Sequence, residues 1–179
     1  MPPRLIESQR IFSGAVFDVD RDRLVEDGGM EIVREIVRHP GGAGGLPWLD
    51  DGRVALVKQY RHPARRELLE IPAGRMEAGE TPMECAAREI EQETGWRAGR
   101  MEKLTEFYST PGFCEEKLYV YLARDLVPVP RQLDHDEFVD LVYLPFAEAI
   151  EMATRGEIED SKTIVALFLA ELKRRQDDR

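Results

Sequence analysis

Residues 74–96 read GRMEAGETPMECAAREIEQETGW, and the rest of the chain is best interpreted from this stretch. Thr81, Pro82 and Glu84 encode a helix start, because threonine can cap a helix, proline suits its first position, and a glutamate three residues after the threonine completes a capping box. Gly95 can adopt the left-handed conformation that ends many helices. The pattern therefore predicts a helix that begins near the proline and ends just before this glycine.

The predicted helix has an apolar stripe and a carboxylate face. The stripe recurs at steps of three and four residues and is expected to pack against a sheet: Met83, Ala86, Ala87, Ile90 and Thr94. On the other side, Glu89 and Glu93 lie one turn apart, which is destabilising unless a cation joins the two charges. Mg²⁺ is such a cation, since it takes one or two protein carboxylates together with substrate phosphates and water. Glu80, in the preceding loop, can turn toward the same place.

The same stretch resembles the Nudix box. That pattern is Gly, five residues, Glu, seven residues, then Arg-Glu-aliphatic-any-Glu-Glu-any-Gly-hydrophobic, and the chain matches every fixed position but one. Gln92 stands where the pattern has the first glutamate of the pair. The resemblance implies a Nudix fold, an α/β/α sandwich of mixed sheets, here with a small N-terminal antiparallel sheet.

The resemblance also implies roles for residues in and beside the box. Arg88 is expected to orient the carboxylates through charge-assisted hydrogen bonds. Glu89, Glu93 and the backbone carbonyl of Ala73 are expected to bind Mg²⁺, for which Mn²⁺ could substitute. Gln92 leaves three alternatives open: a supporting position where the change costs little, a weakened metal site in a weak enzyme or ligand sensor, or a substitution introduced to trap substrate.

Segments outside the box resemble the ADP-ribose pyrophosphatase group: Gln59-Tyr60-Arg61, Leu69-Glu70-Ile71-Pro72-Ala73-Gly74 and Ser109-Thr110-Pro111-Gly112-Phe113. The resemblance implies Mg²⁺-dependent hydrolysis of ADP-ribose, or another nucleoside diphosphate sugar, to AMP and ribose 5-phosphate. It also implies a homodimer with exchanged N-terminal sheets. The rival hypothesis is a Nudix domain that binds or senses such ligands without turning them over.

Further residues are assigned to the substrate by the same resemblance. Arg61 can offer a planar fork of donors to a diphosphate oxygen, or it can be a surface arginine paired with Glu67 or Glu70. Phe17 or its neighbour Val16 lies in the region that stacks the adenine in relatives, although an aromatic residue in a strand is more often core. Arg34 is expected to contact the base or the ribose of the adenosine. Glu116, with Gly112 nearby, is expected to contact the terminal ribose.

The acidic segment Leu133-Asp134-His135-Asp136-Glu137-Phe138 matches the late loop that supplies the base and one further metal ligand in this group. Glu137 corresponds to the metal ligand. His135 falls on the usual base position, where relatives often have glutamate, and histidine can accept a proton near neutral pH. Asp134 or Asp136 takes that role if the register differs.

Composition narrows the class of protein. The chain has 179 residues, with 25 basic against 35 acidic side chains and a net charge of −10, which disfavours nucleic acid as a partner. Neither a membrane-spanning run nor a signal-peptide core is evident, so a cytoplasmic location without membrane association is expected. Cys85 and Cys114 are expected to be free thiols, with Cys85 facing outward or sideways.

The glycine-rich segment 39–45 is expected to separate two regions. Residues 1–42 are predicted to form the small sheet, which is the expected dimer-forming region, and residues 43–179 the catalytic domain. Later strands are expected near residues 54–57, 68–71, 103–108, 117–123 and 138–144, and helices over residues 145–154 and 161–174.

Overall fold

The computed structural model describes residues 1–133 and 138–177. Its helices are α1 Pro82–Thr94, α2 Phe146–Thr154 and α3 Ser161–Asp177. Its strands are β1 Arg4–Ser13, β2 Asp18–Val25, β3 Glu31–Arg38, β4 Gly42–Pro47, β5 Arg53–Arg61, β6 Arg66–Glu70, β7 Ala73–Arg75, β8 Trp96–Tyr108, β9 Lys117–Pro128 and β10 Val139–Pro145. Among these described helices, none is long and apolar enough to cross a membrane.

Contacts divide the chain into two compact units. The first combines Met1–Gly41 with Phe107–Lys117. It contains an antiparallel sheet in the order β1-β2-β3, and Val37 of β3 bridges to Cys114. All ten positions of the edge strand β1 are exposed. Four of its exposed side chains are large and apolar: Leu5, Ile6, Ile11 and Phe12.

The second unit combines Gly42–Glu106 with Leu118–Arg179 and contains two sheets. One sheet is antiparallel, in the order β10-β5-β6, and the other has the order β7-β4-β9-β8 with β4 parallel to β9. Helix α1 contacts β4, β7, β5 and β10, whereas α3 contacts β4, β6 and α2. This mixed α/β architecture with a small antiparallel N-terminal sheet confirms the predicted fold class.

The glycine-rich segment contains a strand where the sequence indicates a break. Strand β4 is buried at every position. A Cβ atom on Gly44 would lie 2.5 Å from the Cβ of Ala73, and one on Gly45 would lie 2.6 Å from Cδ1 of Ile90. Glycine is therefore needed at Gly44 because the chain at Pro72 and Ala73 approaches its backbone closely, whereas at Gly45 only the tip of the Ile90 side chain would have to move.

Helix α1 has the predicted ends. The side chain of Thr81 accepts from the backbone N–H of Glu84, the Glu84 side chain accepts from the backbone N–H of Thr81, and Gly95 has φ 72°. Its orientation differs from the prediction, however. Met83 is exposed and Cys85 is fully buried, so their expected environments are wrong. The buried face instead includes the carboxylates, as described next.

Candidate active site

The two carboxylates of helix α1 lie in its buried face. Glu89 is 6% exposed and Glu93 is 3% exposed, and both lie beside Cys85, Ala86, Ile90 and Thr94 in the inward-facing stripe. The sequence predicts that these carboxylates lie on the side of the helix opposite the apolar stripe, and this prediction is wrong. Both carboxylates can be buried because each has polar partners within the second unit. Buried carboxylates of this kind require hydrogen bonds or cations around them.

Gly74 makes room for one of these carboxylates. A Cβ atom built on Gly74 would overlap the carboxylate of Glu89. Strand β7 therefore passes directly against this side chain, and any larger residue at this position would force the carboxylate to move. The first fixed position of the box has a steric reason that is evident only once helix and strand are brought together.

Arg88 connects the loop before the helix to the carboxylate face. Its Nε and Nη2 atoms donate to the two oxygens of Glu80 over 2.8 and 3.0 Å, and Nη1 donates to Oε1 of Glu89 over 2.7 Å. Nη1 also donates to Oε1 of Gln92 over 3.1 Å. The hydrogen bonds from Arg88 hold the pKa of Glu80 below its ordinary value. This arginine thus orients the acidic group, as the resemblance implies.

Gln92 takes part in this arrangement through its amide oxygen. Because a guanidinium only donates, the oxygen of Gln92, and not its NH₂ group, must face Arg88. Gln92 and Arg88 line a cleft of about 300 Å³ together with Glu91, Pro130 and Gln132. The glutamine therefore supports Arg88 and borders an open cleft beside the carboxylate face.

Glu93 joins helix α1 to the strand that carries Ala73. Its Oε2 atom accepts from the backbone N–H of Ala73 over 3.0 Å. This contact brings the Ala73 backbone and the Glu93 side chain together, and both are predicted metal ligands. The carbonyl of Glu93 accepts from Nε of Arg131 over 2.5 Å, and Nη2 of Arg131 donates to the carbonyl of Val139 over 2.7 Å.

Arg61 forms a bidentate ion pair with Glu70. Its Nε and Nη2 atoms donate to Oε1 and Oε2 of Glu70 over 2.7 and 2.8 Å. The hydrogen bonds to Glu70 are the main reason that the pKa of Arg61 is raised, and the charge of Glu93 contributes as well. Arg61 therefore lies within electrostatic range of the carboxylate face, and pairing with a glutamate does not remove it from that region.

Four predicted substrate residues belong to the first unit. Phe17 lies between β1 and β2, where its ring is 5.8 Å from that of Phe12 and is exposed, so it is not a core residue. Arg34 is exposed on β3 and donates to the carbonyl of Val33. Oε1 of Glu116 lies 3.5 Å from Nδ1 of His39.

Gly112, the fourth, is exposed, and a Cβ atom there would meet open space. His135 and Glu137, with the alternative bases Asp134 and Asp136, lie outside the described residues. Within residues 1–133 and 138–177 no group of three histidine, cysteine or acidic side chains forms a metal site by itself.

The sequence analysis offered Glu70 only as one possible surface partner of Arg61, and it assigned no role to Lys162 of helix α3. Nζ of Lys162 lies 2.5 Å from Oε2 of Glu70. The sequence contained one signal that Glu70 has a charged partner. It is a glutamate inside the apolar run Leu68–Ile71, and a charge in a buried strand needs a partner. Cys85 is not a candidate nucleophile, because burial raises the pKa of its thiol to about 12.

Comparisons with known proteins agree with this geometry. The NUDIX domain family matches residues 38–167. The chain is 40% identical to the ADP-ribose pyrophosphatase of Bacillus subtilis (strain 168) over 172 residues, covering 95% of this chain and 93% of that protein. It is 38% identical to the methanol dehydrogenase activator of Bacillus methanolicus with the same coverage. A crystal structure of an ADP compounds hydrolase superposes with a TM-score of 0.88, at 22% identity, over 100% of this chain and 97% of that one.

Proposed function

The chain belongs to the Nudix family of pyrophosphohydrolases, and on that premise we propose that it hydrolyses the pyrophosphate bond of ADP-ribose or a related nucleoside diphosphate sugar. The observation that carries this proposal is the pair of buried carboxylates, Glu89 and Glu93, braced by Arg88 and facing strand β7. Two buried acids one helical turn apart are unfavourable in a purely structural role.

The residues present fit a divalent metal ion. Glu89, Glu93 and the carbonyl of Ala73 would hold it, and oxygen donors of this kind suit Mg²⁺, with Mn²⁺ as a substitute. Gly74 supports the fit, because the space that a Cβ atom would fill is taken by the Glu89 carboxylate. Glu137 is proposed as a further ligand. When bound, the metal stabilises negative charge on the attacking and leaving oxygens.

The chain's own groups bind substrate and handle the proton. Arg61 would bind a diphosphate oxygen through the edge of its guanidinium that Glu70 does not occupy. His135 is proposed to accept the proton of the attacking water, so that cleavage gives AMP and ribose 5-phosphate. From the resemblance, Phe17 and Arg34 are proposed to contact the adenosine moiety, and Glu116 with Gly112 the terminal ribose.

The N-terminal region 1–42 is proposed to form a homodimer. The ten-residue edge strand β1, with exposed Leu5, Ile6, Ile11 and Phe12, supports this proposal. A long edge strand with apolar side chains favours pairing with another chain. Sedimentation at micromolar concentration tests it, and a monomeric mass there would contradict it.

The activity is tested by incubating the protein with Mg²⁺ and a panel of nucleoside diphosphate sugars and dinucleotides, and by measuring AMP release. Glu93→Gln is expected to lower kcat by roughly 100-fold or more, since it removes a charged ligand of the proposed metal ion. Glu91→Gln is the matched control, because Glu91 lies on the same helix but pairs with Arg97 at the surface. Equal activity of these two variants would refute the role of Glu93.

Gln92 favours a second candidate, a domain that binds ADP-ribose without turnover. The substitution removes one negative charge from the place where the family pattern has a glutamate. The same panel separates the two functions, because tight ADP-ribose binding without product would support the binding domain.

A further inference from the structure

Glu70, at the end of strand β6, is the most deeply buried acid near Arg61, with 2% of its surface exposed. It accepts both hydrogen bonds of the Arg61 fork and a third from Nζ of Lys162 over 2.5 Å. Burial by itself raises the pKa of Glu70, but the bonds from Arg61 and the charge of Lys162 outweigh it, so this pKa is lowered overall. Glu70 is therefore an ionised carboxylate that lies between two cationic side chains.

The first turn of helix α3 holds this anion from the other side. Asp160, just before the helix, accepts from Nζ of Lys162 over 2.9 Å and from the backbone N–H of Thr163 over 3.0 Å. Oγ1 of Thr163 donates to Asp160 over 2.6 Å and accepts from the backbone N–H of Ile71 over 2.7 Å. Glu70 and Ile71 are thus tied to α3 through both a side chain and the backbone.

Arg61 is held by one edge and open on the other. Nε and Nη2 are bound to Glu70, whereas Nη1 makes no hydrogen bond to any part of the chain that the structure describes. The Arg61 side chain is 41% exposed even though its partner is buried. An arginine fixed in this way loses little further freedom when a phosphate oxygen binds.

We propose that Glu70 and Lys162 are positioning residues that aim the free edge of Arg61 at the substrate diphosphate. Glu70 fixes the plane of the guanidinium. Lys162 shares the charge of Glu70, so that Arg61 is not fully neutralised and keeps its attraction for an anion. The inference rests on the proposed function, in which Arg61 binds the diphosphate.

The test compares Glu70→Gln and Lys162→Met with the control Glu67→Gln. Glu67 lies on the same strand but forms an exposed ion pair with Lys58. Glu70→Gln is expected to raise KM for ADP-ribose roughly 10- to 100-fold with a smaller change in kcat, as for a displaced substrate-binding group. Lys162→Met should raise KM in the same direction, and Glu67→Gln should stay within about twofold of the original protein.

A merely structural role predicts a different pattern. Partial unfolding lowers the active concentration and hence the apparent kcat, but it leaves KM unchanged. Combining Glu70→Gln with Arg61→Ala supplies a second criterion: the two effects on KM should be strongly non-additive if Glu70 acts through Arg61. Unchanged KM in both Glu70→Gln and Lys162→Met, or additive effects with Arg61→Ala, would overturn the proposal. If Glu70→Gln does not fold, Lys162→Met decides alone.

Binding of ADP-ribose without divalent metal, followed by calorimetry, separates this proposal from the hydrolase proposal. If the protein binds ADP-ribose but releases no AMP in the assay with Mg²⁺, hydrolysis is contradicted, and weaker metal-free binding by Glu70→Gln and Lys162→Met would still support positioning. Weakened binding is expected for these two variants and not for Glu67→Gln. If all three variants bind ADP-ribose as tightly as the original protein, the positioning role is overturned, even if the original protein is an active hydrolase.

Discussion

Gly74→Ala isolates the steric requirement at the start of the box. The new methyl group would overlap the Glu89 carboxylate, so that carboxylate must rotate away. Rotation breaks its 2.7 Å hydrogen bond with Arg88. Losing a hydrogen bond between charged groups costs about 1.5–3 kcal/mol, and replacing glycine by alanine recovers about 0.4–1 kcal/mol from the unfolded chain. The expected net destabilisation is therefore about 0.5–2.6 kcal/mol.

Urea unfolding followed by tryptophan fluorescence measures this free energy. Both tryptophans, Trp48 and Trp96, belong to the second unit, which also contains Gly74 and Glu89. The signal therefore reports on the unit that carries the substitution. A fall in the thermal midpoint of about 1–10 °C is expected alongside, at about 2–4 °C per kcal/mol for a chain of this size.

The deciding comparison is a double-mutant cycle with Glu89→Ala. Removing the carboxylate removes the atoms that the new methyl group would meet. Gly74→Ala should then change the stability of the Glu89→Ala protein by no more than about 0.5 kcal/mol, or stabilise it slightly. An equal destabilisation in both backgrounds would refute the steric reasoning and point to the backbone of β7 instead.

Three further predictions concern other parts of the second unit. A hydrogen bond from Arg174 is the main reason that the pKa of Glu171 is lowered from 4.5 to about 2. The ionised Glu171 side chain therefore contributes stability that is present above about pH 4.5 and is lost as the pH falls toward 2. Glu171→Gln should therefore flatten the loss of stability over that range in acid titrations followed by circular dichroism, and an unchanged slope would contradict the assignment. Thr163→Val leaves the buried N–H of Ile71 without its acceptor, and denaturant unfolding should show a loss of about 1–3 kcal/mol; a neutral effect would mean that another acceptor replaces it. Gln92→Glu should change kcat only modestly, with Gln132→Glu as the control that adds the same charge to the same cleft. A rise of several orders of magnitude would mean that Gln92 cripples the enzyme.

Local signals predicted helix α1 well because its ends depend on neighbours in sequence. The capping box and the left-handed glycine act within one turn, so they are readable without knowledge of the fold. The orientation of the helix was not readable in the same way. Cys85 is buried and Met83 is exposed because the close approach of β4 and β7 decides which face turns inward.

The candidate site, too, could be predicted only where it depends on residues close together in the sequence. The spacing of Glu89 and Glu93 predicted an acidic face, since residues four apart share a side of a helix. The resemblance to the family implied that Arg88 orients these carboxylates. The sequence offered the ion pair of Arg61 with Glu70 as one alternative, but the contact of Lys162 with Glu70 was not predictable, because the two residues are 92 positions apart in the chain. Such a contact leaves no periodic signal.

The sequence by itself therefore determined the family, the capped helix and the residues that carry its charge, because short-range spacing encodes all three. Only the tertiary structure decided that the carboxylates are buried, that Gly74 must lack a side chain, and that helix α3 holds the partner of Arg61. Those facts depend on the closeness of distant segments. Packing and the pairing of buried charge, and not local propensity, decide which segments meet.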